Sequence, residues 1–130
     1  MATFLPLWAG IPSRPRAERL VALLIQPGFW PGYPVPSVPT DAPQFDPERY
    51  WKGPTWVNMN WAIIQGLGAN AETQLVDDLR RRTLDFIDQS GFAEYFSPLT
   101  GRGFGAHEFS WTAALALDLV GSESADRWRR

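Results

Sequence analysis

Residues 71–91, AETQLVDDLRRRTLDFIDQSG, decide the fold class. Leu75, Val76, Leu79, Thr83, Phe86 and Ile87 recur at intervals of three and four, so one helical face is apolar. Asp77, Asp78, Asp85, Asp88 and Arg80 to Arg82 fall mainly on the opposite face, where solvated ion pairs are expected. Asn70 stands where a cap would open the helix and Gly91 where a left-handed residue would end it. Upstream, Thr55 is placed to cap TWVNMNWAIIQGLG (55–68), in which Val57, Trp61, Ile64 and Leu67 keep near-helical spacing until Gly66 and Gly68 weaken it. Further back, Ser13 as N-cap and Pro15 in the first turn precede RAERLVALLIQ, with Ala17, Leu20, Val21, Leu24 and Ile25 on one face. A helix over 14–26 follows, stopped by Pro27-Gly28. Downstream, SWTAALALDLV (110–120) opens a last helix with Ser110 as candidate cap. The opening FLPLWAGIP (4–12) is too broken by Pro6, Gly10 and Pro12 for more than a short turn. No strand pattern is visible. The class is therefore all-α: four helices in two helical hairpins, joined by long aromatic loops.

The bulk properties narrow the function. The 130 residues are 45% hydrophobic and 20% charged, a one-domain length that can bury a modest core, and no apolar run approaches the ~18 residues of a membrane span. The net charge of −2, without a block of like charge, argues against nucleic-acid and membrane partners. With no Cys and only His107, disulfides, zinc knuckles and Cys–His nucleophiles cannot be built. The carboxylates lack EF-hand spacing, and Gly101 to Gly105 lacks the Lys of a phosphate loop. No metal and no cofactor are expected. The N-terminus shows no charged region followed by a long apolar stretch, so a cytoplasmic chain is the default expectation.

Eight of the twelve prolines fall within residues 27–54, which excludes a long helix or a central strand there. With Phe29, Trp30, Tyr33, Val35, Phe45, Tyr50 and Trp51 to bury, this reads as a site-forming loop lying on the helices. Residues 91–109, with four glycines and Pro98, read as a second one. The first loop runs into YWKGPTWVNMNW (50–61), where flat aromatic faces lie beside the amides of Asn58 and Asn60. Rings cover the apolar face of a pyranose and amides satisfy its hydroxyls, so a sugar site is one reading; core-filling Trp and capping Asn is the other. In the second loop Glu94, set among Phe92, Tyr95 and Phe96, is the leading candidate for acid–base work, against the alternative of an ordinary loop carboxylate. Asp46, Glu108 and His107 are rivals with no second group that spacing places beside them.

YWKGPTWVNMNW and GFAEYFSPLTGRGFGAHEFSWTAALALDL (91–119), supported by FLPLWAGIP and PSVPTDAPQFDPERYW (36–51), resemble the C-terminal part of glycoside hydrolase family 63 and its mannosylglycerate and glucosylglycerate hydrolase relatives, similar in fold to trehalase. The resemblance implies an (α/α)6 barrel of twelve helices, of which these four would form about a third. It also implies inverting cleavage of α-glycosidic bonds by an Asp general acid and a Glu general base. Glu94 falls at the base position. Tyr50, Trp51, Gly53, Pro54 and Trp56, then Asn58 and Asn60, match a sugar-contacting loop, and Trp111 in FSWTAA matches an aromatic of the last hairpin. Lys52, Ser97 and Arg102 depart from the usual Arg, Asp and Glu, which bears on fine specificity. The general acid would lie upstream of this chain, so by itself the chain is expected to be inactive. Its uncovered helix faces would then meet the missing N-terminal part of the barrel or a second copy. Two rivals stand beside this reading: a non-catalytic carbohydrate-binding or interaction module, and a purely structural helical domain with its Trp residues as core.

Overall fold

The computed structural model describes residues 1–128, with side chains as far as residue 121. The chain is helical, as its periodicity predicts. A 3-10 turn at Ala2–Phe4 leads into α1 (Leu5–Trp8), followed by α2 (Arg14–Leu24), α3 (Val57–Ala69), α4 (Thr73–Ser90) and α5 (Ser110–Trp128). No helix among the described residues is long and apolar enough to cross a membrane.

α3 is the centre. It packs against α1, α4 and α5, and Val57, Ala62, Ile63, Ile64 and Leu67 are buried on several of its sides. α3 and α4 form a hairpin, whereas α2 makes its main element contact with the N-terminal 3-10 turn. It is α1, rather than α2, that lies against the other side of α3. Gly66 explains why α3 runs on past the glycines: a Cβ there would lie 2.6 Å from the Trp8 backbone nitrogen and 2.8 Å from the Leu7 carbonyl carbon. The glycine admits the α1 backbone rather than breaking the helix.

Several helix ends differ from expectation. Thr55 is not the cap of α3; Trp56 occupies that position, because the Thr55 backbone is already paired with Phe96, its N–H donating at 2.8 Å and its carbonyl accepting at 2.9 Å. Asn70 closes α3, its amide donating to Gly66 O at 2.8 Å, and Glu72 takes the N-cap position of α4. Ser110 is the first residue of α5 itself, and Ser13 holds the N-cap position of α2 without a side-chain cap bond. Ile25 lies past the end of α2 and is exposed. Gly91 does end α4, at φ +71°. On α4 the predicted apolar face is buried apart from Leu75, which is half-buried. Arg80 is the exception on the polar side: its side chain is buried while pairing with Asp77 at 3.3 Å.

The chain also holds a short antiparallel ribbon that periodicity did not show, Tyr95–Phe96 (β1) with Gly103–Phe104 (β2), registered Tyr95 to Phe104 and Phe96 to Gly103. Two residues per strand are too few for an alternation signal. The turn between them is organised by Ser97, whose Oγ accepts from Leu99 N at 3.3 Å and Thr100 N at 3.4 Å.

Residues 27–54 lie over this helical base as a packed loop with Pro34, Val35 and Pro36 buried. Asn60 fastens it from α3. Its Nδ2 donates to Pro34 O at 2.8 Å and to Thr83 Oγ1 at 2.9 Å, and its Oδ1 accepts from Val35 N at 3.1 Å. Arg82 fastens it from α4, donating to Gly32 O at 3.0 Å while Nε holds Asp78 at 2.9 Å. Burial alone would raise the Asp78 carboxyl, but the hydrogen bonds and charges of Arg82 and Arg81 outweigh it and hold the group below its usual range.

The N-terminal amine of this chain is buried with Met1 and donates to Ser37 O at 3.1 Å. Burial penalises its cation and lowers its pKa from 8.0 to about 6. Between those values the unfolded chain binds more protons than the folded one, so stability rises with pH through that window and is flat above it. Allowing for solvent screening, the gain from pH 6 to 8 is of the order of 1 to 2 kcal/mol. Urea midpoints at pH 5.5, 7 and 8.5 should show this rise, and N-terminal acetylation should abolish it.

Candidate functional site

The end of the first loop and the ribbon meet in a stack of aromatic rings. Trp56, at the N-cap of α3, lies parallel to Trp51 with ring centroids 3.9 Å apart and 2° between planes. On from Trp56 the stack runs to Tyr95 at 5.2 Å, then to Phe104 at 6.1 Å, and Arg102 lies over the Phe104 ring at 5.1 Å. Tyr50 presents its edge to Trp51, Trp56 and Tyr95 at 5.9, 5.0 and 5.5 Å. These offset and edge-on arrangements favour the aromatic quadrupoles as well as burial.

The members differ in access. Trp56 is 2% exposed, covered by Trp51 and Tyr95, and its Nε1 donates to Tyr50 O at 3.3 Å. Trp51 is 41% exposed and Tyr50 49%. The burial expected of these two is thus only partial, and they form the open end of the stack. Tyr50 holds a left-handed φ of 40°, uncommon for a bulky side chain and typical of a residue constrained by its site. Gly53 shapes the loop: a Cβ there would lie 2.1 Å from Asp46 O, and its N–H donates to Ser37 Oγ at 2.9 Å.

The two asparagines part company. Asn58, in the first turn of α3, is half-buried and its side chain makes no hydrogen bond among the described residues. Asn60 is fully buried, and the three bonds to Pro34, Val35 and Thr83 direct its amide inward. Asn60 is therefore a fastener of the loop, turned away from any surface a sugar could reach.

Glu94 immediately precedes Tyr95 and is half-buried at the start of the ribbon. Its Oε2 accepts from Ala106 N at 3.1 Å, and its own N–H donates to Phe104 O at 3.1 Å. The aromatic surround expected of it is divided: Phe96 points into the core, Phe92 is exposed, and Tyr95 joins the stack. The rivals are placed otherwise. Asp46 is half-buried and accepts from Glu48 N at 3.1 Å within its own turn, and His107 and Glu108 are exposed. Trp111 lies in the first turn of α5, 57% exposed, with Phe109 beside it at 5.5 Å. The same turn is tied to the residue before Glu94 by Thr112 Oγ1 donating to Ala93 O at 2.8 Å. Among the described residues no three His, Asp or Glu side chains are grouped closely enough to hold a metal ion. Spacing placed Thr83 on the buried face of α4 but gave no sign that it or Ser37 completes the loop fastenings, because their partners are 23 and 16 residues away.

A family model described as the mannosylglycerate hydrolase MGH1-like glycoside hydrolase domain matches residues 1–112. The chain belongs to this glycoside hydrolase family. Over 116 residues it is 43% identical to a mannosylglycerate hydrolase of Thermus thermophilus, covering 89% of this chain and 28% of that protein. It is 33% identical over 126 residues to a glucosylglycerate hydrolase of Mycolicibacterium hassiacum, covering 92% and 28% respectively. Among solved structures, the family 63 mannosylglycerate hydrolase from Thermus thermophilus in complex with Tris and D-glycerate superposes with a TM-score of 0.84 at 43% identity, over 88% of this chain and 28% of that one. The glucose complex of the same enzyme gives 0.83 at 39% identity, over 92% and 28%. This family member thus spans little more than a quarter of the length of these relatives.

Proposed function

We propose that this chain is the C-terminal segment of an inverting α-glycoside hydrolase acting on mannosylglycerate, glucosylglycerate or small α-glucosides, and that Glu94 is its general base. The observation that carries the reading is the placement of Glu94: a half-buried carboxylate with one oxygen held by Ala106 N, adjoining the aromatic stack whose open end is Trp51 and Tyr50. In this reading Trp51, Tyr50, Asn58 and Trp111 contact sugar, while Trp56 and Gly53 hold Trp51 in place and Asn60 acts from behind the loop. The setting is a cytoplasmic enzyme without metal or cofactor.

Inversion needs a second carboxyl group ~6.5–9.5 Å from the base, across the sugar, to protonate the leaving oxygen while Glu94 takes a proton from the attacking water. In our reading that acid belongs to the part of the barrel represented in the remaining length of the relatives. Residues 1–130 would then be one domain portion, about a third of an (α/α)6 barrel, with residues 27–54 and 91–109 forming its mouth. Trp111, Leu117 and Val120, all exposed on α5, fit a face that other helices of the barrel would cover. The isolated chain should accordingly show no hydrolysis.

Binding separates this reading from a non-catalytic module or a structural domain. Tryptophan fluorescence titrated with glucose, mannose, trehalose and glucosylglycerate should show saturable quenching by one of them, lost in Trp51→Ala. A folded chain that answers none of these sugars would set aside Trp51 as a sugar platform. Quenching that survives Trp51→Ala would place the sugar elsewhere.

A further inference from the structure

Glu94 lies in a cradle made by the segment that follows the ribbon. Four hydrogen bonds join residues 104–112 to residues 92–94: Glu94 N to Phe104 O at 3.1 Å, Ala106 N to Glu94 Oε2 at 3.1 Å, Phe109 N to Phe92 O at 2.7 Å, and Thr112 Oγ1 to Ala93 O at 2.8 Å. The segment turns through two left-handed residues, Gly105 at φ +76° and Glu108 at φ +57°. Gly105 faces the carboxylate directly. A Cβ there would lie 2.6 Å from Glu94 Oε2 and 2.8 Å from both Glu94 Cβ and Tyr95 Cε1. Any side chain at 105 would therefore displace both the carboxylate and the ring that stacks on Trp56. Meanwhile Oε2 is held by Ala106, and Oε1 carries no hydrogen bond among the described residues.

We infer that the Gly105–Ala106 turn is the positioning element of Glu94: it fixes the carboxylate plane through Oε2 and leaves Oε1 as the oxygen that receives a proton. This rests on the proposed role of Glu94 and names the residues that orient it. A glutamate side chain otherwise samples several rotamers, and one directional bond with a steric wall beside it selects among them. During the reaction the water's O–H bond breaks as its oxygen bonds to the anomeric carbon. The proton passes to Oε1, and the electrons of the glycosidic bond leave with the aglycone oxygen, which the acid protonates. Oε2 keeps the Ala106 bond throughout.

The test needs no hydrolysis, so it stands or falls separately from the glycosidase reading. In a 15N-labelled chain taken from pH 7 to pH 3, the Ala106 amide peak should move with ionisation of Glu94. The part of that movement that Glu94 causes should vanish in Glu94→Gln and in Gly105→Ala, leaving only what the neighbouring His107 and Glu108 contribute, with the spectrum of the α3–α4 hairpin unchanged. Should Gly105→Ala fail to fold, Glu94→Gln decides the question alone. An Ala106 peak that stays still, that moves equally in Glu94→Gln, or that still follows Glu94 in a folded Gly105→Ala chain would overturn the inference.

Discussion

Trp56→Ala should destabilise the chain by about 3–5 kcal/mol, the range for emptying a buried aromatic site. Trp56 is the ring on which the site is built. Trp51 lies on one side of it at 3.9 Å, Tyr95 on another at 5.2 Å, Tyr50 meets it edge-on at 5.0 Å, and its indole N–H holds the Tyr50 carbonyl. Removing it opens a cavity and leaves Trp51 without the partner that orients it. Against a total stability of ~5–15 kcal/mol for a domain of ordinary size, such a loss is a large fraction. Denaturant unfolding should show a lower midpoint with an unchanged slope. Trp51→Ala, at an exposed position, should shift the midpoint by well under half as much. Equal effects at the two positions would mean that Trp56 is not the keystone of the stack.

Glu94→Gln should have the largest effect on chemistry. Because the acid is assigned to a part of the barrel outside this chain, the measurement uses a chimera in which residues 1–112, the span of the family match, replace the corresponding stretch of the Thermus thermophilus enzyme. A general base typically contributes a factor of ~10²–10⁴, so kcat should fall by that much. KM should change little, since the carboxylate acts on water and the sugar is held by other groups. The amide keeps the size and the hydrogen-bond acceptor that Ala106 uses, and the fold should be intact. Unimpaired turnover in the Gln chimera would remove Glu94 from the mechanism.

The helices were legible because their signal is local. On α4 the three-and-four repeat from Val76 to Ile87 becomes the buried face, and Gly91 ends the helix as its type suggests. What failed to show depends on partners distant in sequence. The Thr55 backbone is taken by Phe96 across 41 residues of chain, so a residue with good capping chemistry becomes part of a β-bridge. Gly66 reads as a weak point in isolation and is a contact point once α1 lies against it. Asn60 reads as a sugar amide beside Asn58, yet the loop that follows α2 folds back onto it and turns it into a fastener. The aromatic string at 50–61 showed that rings would gather, but not which of them would be covered; that was decided by Tyr95, brought in by the ribbon.

The chimera with Glu94 intact gives the most direct measurement: hydrolysis of α-mannosylglycerate followed by proton NMR from the first minutes. An inverting enzyme completed by residues 1–112 releases β-mannose first, with the α anomer growing in only by mutarotation. Release of α-mannose first, or no hydrolysis by a chimera that folds and binds the substrate, would contradict the assignment of this chain as the base-bearing segment of an inverting glycosidase.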